Sequence, residues 1–286
     1  MTPRYACAAA LTIARIAVSS SFRQGRMWLM ARACQLHRFD HATVSFEDDA
    51  HLGLPGMGGA KAGPHAEVLR AFGLGDEDLA AWREAGLSDE EFEGWLTDRV
   101  ARRPTGSRAR EVYGADDVHD FARRAILDAL ALAPGDHLLD VGCGGGLLLR
   151  DALATGARVT GLDHSDEMVA LARERAPGAE VVLAEAERLP FADHVFSAVA
   201  MSIVFFFLDD PVGVLRECRR VLRADGRLAL YTTAPELRGT PAAPEPIASQ
   251  GHFYSDDELA RLAERAGLRD VGVRNDGGGQ LLTGRA

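Results

Sequence analysis

Short apolar runs without polar alternation recur through the second half of the chain, and stretches with helical spacing separate them. The runs fall at residues 137–141, 158–163, 180–184, 195–203 and 227–233. Such runs read as strands buried on both faces. The intervening stretches carry helix signals. A helix at 147–154 is closed by Gly156; one at 167–175 starts behind Ser165 and stops at Pro177-Gly178; a third at 211–222 starts on Pro211. A helix opened by Asp116 or Asp117 and running to about Leu132, with Phe121, Ala125, Ile126 and Leu130 near helical spacing, precedes the first strand. This alternation predicts an α/β fold, a mostly parallel sheet with helices on both faces.

After Thr233 the pattern changes. Residues 234–250 are rich in Pro, Ala, Gly and Glu without period, which predicts a long functional or mobile loop. A helix at 255–266 follows, with Ser255 and Glu258 as a capping box. Strands near 270–274 and 280–283 are separated by a run of glycines after Asp276, and a turn that tight joins only antiparallel neighbours.

Upstream, residues 63–75 predict a short helix stopped by glycine, Asp76 a cap for a second helix through Ala85, and Ser88-Asp-Glu-Glu91 a capping box opening a third. Residues 52–64 are rich in Gly and Pro and predict an irregular linker. Residues 1–40 hold six arginines against Asp40 alone, and the mildly apolar stretch from Ala8 to Val18 is broken by Arg15. This segment is read as a disordered tail or an early start codon rather than a targeting signal. The expected organisation is an extension at 1–51, a linker with short helices at 52–104, and the main domain at 105–286, with the boundary in the polar break at 102–107.

Charge and cysteines narrow the class. With 32 basic and 42 acidic residues the formal charge is -10, which argues against a nucleic-acid groove as the main surface. Cys7, Cys34, Cys143 and Cys218 are scattered and form no C-x-x-C pair, so neither a disulfide framework nor a metal site is expected and the cytoplasm is the default compartment. No apolar run reaches the roughly 20 residues of a membrane span.

The chemistry concentrates at Asp140-Val-Gly-Cys-Gly-Gly-Gly146, where the first strand ends in an acid and drops into glycines before a helix. The G-x-G-x-x-G register of dinucleotide-binding proteins fails, since the third position is Leu147 counted from Gly142 and Leu149 counted from Gly144. Instead the stretch resembles D-x-G-x-G-x-G, the first motif of class I S-adenosylmethionine-dependent methyltransferases. Leu189-Pro-Phe191, Phe196-Ser-Ala-Val199 and Arg220-Val-Leu-Arg-Ala-Asp-Gly226 resemble further motifs of their small-molecule, menaquinone/ubiquinone-type subgroup, with Ser197 where an Asp is usual and Ala224-Asp225 where Pro-Gly is usual. The resemblance covers about residues 115–286. It implies a Rossmann-like three-layer sandwich whose seven-stranded, mostly parallel sheet has a C-terminal antiparallel strand. Residues 52–86 carry a fainter likeness to the C-terminal tail of family III CoA-transferases, without that family's catalytic residues.

The resemblance implies S-adenosylmethionine as cofactor and transfer of its methyl group to a small-molecule acceptor at O, N or C. Asp140, Gly142, Cys143, Gly144 and Gly146 would wall the methionine end. Asp163 would accept from the ribose hydroxyls, His164 and Met168 would cover the adenine, and Glu185 and Ala186 would contact it where the family commonly has Asp-Ala. Met201 and Ser202 lie where the fourth strand leaves the sheet. Three consecutive aromatics from Phe205 cannot all face the core of one strand, so at least one is expected in an acceptor pocket; Phe205 and Phe206, with His252 and Tyr254, are the candidates. His252 and Tyr254 are also the only candidates for a general base, and a helix-entry anchor is an equal reading of both. His119 and His194 read as ordinary helix or turn residues. The competing functions are a nicotinamide-dependent oxidoreductase and a non-catalytic cofactor-binding module. The oligomeric state is not readable.

Overall fold

The computed structural model describes residues 64–113, 119–240, 242–276 and 278–286. The expectations for residues 1–51, for the linker up to residue 63, and for Asp116, Asp117 and Val118 lie outside the described residues.

The N-terminal segment is helical: α1 (Pro64–Ala71), α2 (Asp76–Ala85), α3 (Phe92–Thr97) and α4 (Gly106–Tyr113). Glu91 accepts from the backbone N–H and the hydroxyl of Ser88, both at 2.8 Å, as the capping-box spacing predicts. The start of α2 differs from expectation. Gly75 is its cap, and Asp78 rather than Asp76 accepts the Gly75 N–H at 2.9 Å, while Arg99 donates to the same carboxylate at 2.8 Å. Leu69, Leu74, Trp82, Phe92 and Leu96 close into a small core of their own.

The polar stretch after α3 is a packed crossing rather than an open break. Ser165 Oγ donates to the carbonyl of Pro104 at 3.2 Å, and His164 Nε2 lies 2.5 Å from the carbonyl of Arg102. Helix α4 then lies on the main domain, with Ala109 against Met168 and Leu171 and Arg110 paired to Glu174 at 2.6 Å.

The main domain follows as α5 (Asp120–Leu130), β1 (His137–Val141), α6 (Leu147–Leu153), β2 (Arg158–Asp163), α7 (Asp166–Arg175), β3 (Glu180–Leu183), β4 (Phe196–Ser202), α8 (Pro211–Val221), β5 (Leu222–Thr233), α9 (Ile247–Gln250), α10 (Asp256–Arg265), β6 (Arg269–Asp276) and β7 (Gly279–Arg285). The strands form one sheet in the order β3-β2-β1-β4-β5-β7-β6. All pairings from β3 to β5 are parallel, and β7 runs antiparallel to both its neighbours. Two buried clusters, one on each face, account for the unbroken apolar runs; every residue of β1 is buried. Strand β5 begins earlier than the apolar pattern indicates. The chain passes straight from α8 into it, through Asp225 at a φ of 59° and a register shift opposite Phe196 and Ala198.

Ser197, where the resembling motif has an acid, ties the start of β4 to the start of β1. Its hydroxyl accepts from the His137 N–H at 2.9 Å and donates to Asp136 at 2.7 Å.

The loop from β3 to β4 is held by one guanidinium. Arg220 on α8 donates to the carbonyls of Leu189 (3.0 Å) and Phe191 (2.8 Å), and to Asp193 and Glu217 at 2.8 Å. A fork of five donors suits this arrangement, and an ammonium cannot reproduce it. Arg220→Ala is expected to lower stability by about 1–3 kcal/mol, since it strands two carbonyls and Glu217. Arg220→Lys should recover only part of the loss; urea denaturation with the same m-value measures both.

Candidate active site

Because β3, β2 and β1 are adjacent and in register, the acids that end or follow them lie along one edge of the sheet. Asp140 pairs across to Gly161, and Asp163 to Leu183, with Glu185 two residues beyond. This is the C-terminal edge beside β1 and β4, where the strand order reverses and α/β folds open a crevice.

The turn leaving β1 is fixed by its neighbour. The N–H groups of Gly142 and Cys143 both donate to the carbonyl of Leu162, at 2.8 and 2.9 Å, and the Gly144 N–H donates to the Asp163 carboxylate at 2.8 Å. Glycine is required at two points for different reasons. Gly142 has a φ of 72° and a Cβ there would lie 2.4 Å from Val204; Gly146 has a φ of 80° and a Cβ there would meet Ala172 of α7 at 2.8 Å.

Above this turn lies a cavity of about 1250 Å³. Asp140, Gly142, Cys143, Gly144, Asp163, His164, Met168, Glu185, Ala186 and Ser202 all line it. Gly146 and Met201 do not: the former packs its backbone on α7, and the alternation of β4 turns the Met201 side chain into the core beside Val199. The run from Phe205 also departs from expectation. Strand β4 stops at Ser202, Ile203 adopts a φ of 58°, and Phe205–Phe207 form a 3-10 turn. Phe205 is fully buried against Tyr254, whereas Phe206 and Phe207, with ring centroids 4.0 Å apart, face the cavity.

His252 and Tyr254 are not brought to the cavity. The His252 N–H is bonded to the Phe206 carbonyl at 2.7 Å and its exposed ring lies 3.7 Å from Asp209, while Tyr254 packs on Phe205. Both anchor the entry to α10.

The other wall comes from segments the motif reading left aside. Phe72 and Leu74 reach it from the N-terminal helices, Arg99 to Pro104 run along it, and Val112 and Tyr113 close it. Ala109, Val112 and Tyr113 have the i, i+3, i+4 spacing of a buried helical face, the one signal that could have marked this segment. On the far side the 234–250 stretch is folded rather than open: Pro235–Leu237 makes a 3-10 turn, α9 follows, and Arg238 donates to the Ala248 carbonyl at 3.1 Å. Leu237, Thr240, Ala242, Pro244 and Ile247 line the cavity from it. His119, Phe121, Tyr231 and Asp276 complete the rim.

Burial dominates the electrostatics. Asp140 is buried, its Oδ1 has no partner among the described residues, and burial with the neighbouring Asp163 charge pushes its pKa up to about 8. Burial raises Asp163 too, opposed by the N–H bonds from Ser165 and Gly144. Glu185 is exposed and stands 3.3 Å from both Arg103 and His164. Burial holds Tyr113 and Tyr231 at about 12 and the Cys143 thiol well above its ordinary value, so none of these is a nucleophile at neutral pH. A buried carboxyl that holds its proton for want of countercharge gives it up most readily beside a cation, so the pair suits a cationic ligand.

The family described as "Methyltransferase domain" matches residues 139–230. The demethylmenaquinone methyltransferase of Beutenbergia cavernae is 36% identical over 216 residues, which are 67% of this chain and 88% of that protein. That of Mycolicibacterium vanbaalenii is 33% identical over 64% of this chain and 89% of its own length. Among solved structures, a SAM-dependent methyltransferase from Aquifex aeolicus superposes with a TM-score of 0.52 at 26% identity, covering 63% of this chain and 96% of its own. Among the described residues no helix is long and apolar enough to cross a membrane.

The Asp140 carboxyl gives the free protein a pH-dependent stability. Its folded pKa of about 8 lies above the unfolded value of about 3.9, so the folded state retains a proton that the unfolded chain releases. That contribution is full below about pH 4 and is lost as pH rises through about 8. Asp140→Asn is expected to raise the melting temperature of the ligand-free protein at pH 8 and leave it nearly unchanged at pH 4. Calorimetric scans at the two values measure the difference.

Proposed function

Because the chain belongs to the class I S-adenosylmethionine-dependent methyltransferases, in their menaquinone/ubiquinone-type subgroup, we propose that it methylates a small, largely apolar acceptor with a hydroxylated ring. It is an enzyme, and S-adenosylmethionine is its cofactor.

The residues present fit that cofactor. The unpartnered Asp140 oxygen is a buried acceptor suited to the ammonium of the methionine end, and Gly144 has open space within 4 Å of where a Cβ would stand, so ligand can approach its backbone. In this reading Asp163 uses its remaining lone pairs for the ribose hydroxyls. His164, Met168, Glu185 and Ala186 surround the base, and Ser202 closes the side toward β4. S-adenosylmethionine, when bound, supplies a methyl carbon activated by a sulfonium.

The observation that carries the acceptor class is the volume and lining of the cavity. A single drug-sized ligand fills about 300–1,000 Å³, so about 1250 Å³ leaves room for a second molecule beside the cofactor. The lining beyond the glycine turn and its acids includes the apolar side chains of Phe206, Phe207, Phe72, Leu74, Leu237 and Ile247. Flat aromatic walls favour a ring, and few polar groups favour an acceptor with few of its own. The relatives' name, demethylmenaquinone methyltransferase, describes a largely apolar acceptor with a flat ring. The protein's contribution is to hold acceptor and methyl carbon in line and to exclude water, and orientation of this sort supplies up to roughly 7–11 kcal/mol.

Two measurements test the reading. Asp163→Ala and Asp140→Ala should each weaken S-adenosylmethionine binding by about 1–3 kcal/mol in calorimetry; unchanged affinity in both would remove the site. Labelled methyl transferred to hydroxylated aromatic acceptors should be found by mass spectrometry, and Phe207→Ala should raise KM about tenfold with kcat less affected. Transfer to polar amines alone would overturn the acceptor class.

A further inference from the structure

His119 stands at the entry to α5 with nothing assigned to it. We propose that its imidazole is the proton acceptor of the reaction, taking the hydroxyl proton of the methyl acceptor; the inference rests on the acceptor class proposed above, with the ring hydroxyl oxygen as the atom methylated.

Three observations place it there. His119 lines the cavity together with Phe121, Tyr231, Asp140 and Phe207, on the side where α5 crosses the ends of β4, β5 and β7. Its ring makes one aromatic contact, to Phe121 at 6.3 Å, and no hydrogen bond to either nitrogen from the described residues. Its backbone has a φ of 51°, a region that non-glycine residues enter rarely and at a cost, and its carbonyl accepts the Arg123 N–H at 3.1 Å, which fixes it at the head of the helix. The ring is thus held half-buried over the cavity with a lone pair unused.

The groups around it decide which form it takes. On its own helix are Arg123, itself paired with Asp120 and Asp151, and Asp120; from the sheet come Tyr231 on β5, Asp276 on β6 and Asp140 on β1. Burial, then Arg123, lowers its pKa to about 4, so the ring is neutral at pH 7. A base this weak does not ionise a hydroxyl beforehand. It suffices because the oxygen becomes cationic, and its proton strongly acidic, as the methyl bond forms. The O–CH3 bond forms and the S–CH3 bond breaks with its electron pair left on sulfur. The O–H bond then breaks, its pair returns to oxygen and its proton ends on His119, which releases it to solvent.

The test does not begin with turnover. In the full chain, the imidazole resonance absent from His119→Asn should titrate well below the ordinary histidine range. Asparagine tolerates the same φ but cannot take the proton. Adding phenol at pH 7 should shift that resonance together with the ring signals of Phe206 and Phe207; anisole, which has no proton to donate, should shift only the phenylalanines. If phenol moves the phenylalanines and not His119, the proton-acceptor role fails and the acceptor class stands. If phenol moves neither, the acceptor class itself fails. Once an acceptor is in hand, His119→Asn should lower single-turnover rates about 10²-fold, remove the acid limb of the pH profile and leave cofactor affinity unchanged. An unchanged profile would overturn the proposal.

Discussion

The hold of β2 on the turn that leaves β1 is what the rest of the site depends on. One carbonyl, that of Leu162, accepts two successive N–H groups, and the next carboxylate along the strand, Asp163, accepts a third from Gly144. These bonds replace the ladder that the chain abandons when it turns. They also bind Asp163 to the turn that shapes the crevice, so the acid cannot move without the glycines moving. Asp140, one strand over, receives no such bond at Oδ1. The contrast between a carboxylate already engaged and one left wanting gives the crevice its polarity toward a cation.

How far the sequence carried can be judged residue by residue. The centre of the sheet was legible because β1, β2 and β4 are buried on both faces and therefore read as unbroken apolar runs; β1 and β2 begin and end where the pattern places them. Caps that rest on local chemistry, at Ser88, Ser165 and Ser255, were equally plain. The errors lie where a local rule met a tertiary one. Phe205, Phe206 and Phe207 were read by strand alternation, but β4 had already ended, and in a 3-10 turn the second and third rings, not the first, reach the cavity. Met201 and Gly146 sit in motif positions, yet their contacts are with the core and with α7. His119 gave no signal, because a single histidine at a helix entry acquires meaning only from what the fold places opposite it.

The wall opposite the sheet was the least legible part. Residues 98–113 contain no motif, and their role follows from contacts with the ends of β2 and α7: Arg102 with His164, Pro104 with Ser165, Arg110 with Glu174, and Tyr113 with Arg175. None of these partners is near in sequence. Within the polar stretch at 102–107 the carbonyls of Arg102 and Pro104 are taken by the side chains of His164 and Ser165.

The separate core of the N-terminal helices has a further consequence. Trp82, Phe92 and Leu96 pack among themselves and with Leu69 and Leu74, and the last of these, with Phe72, also faces the crevice. The part of the crevice wall that Phe72 and Leu74 supply is thus attached to a core that the sheet does not share. Changes in that small core can reshape this stretch of the crevice wall while the glycine turn and its carboxylates, which rest on β1, β2 and α7, keep their geometry.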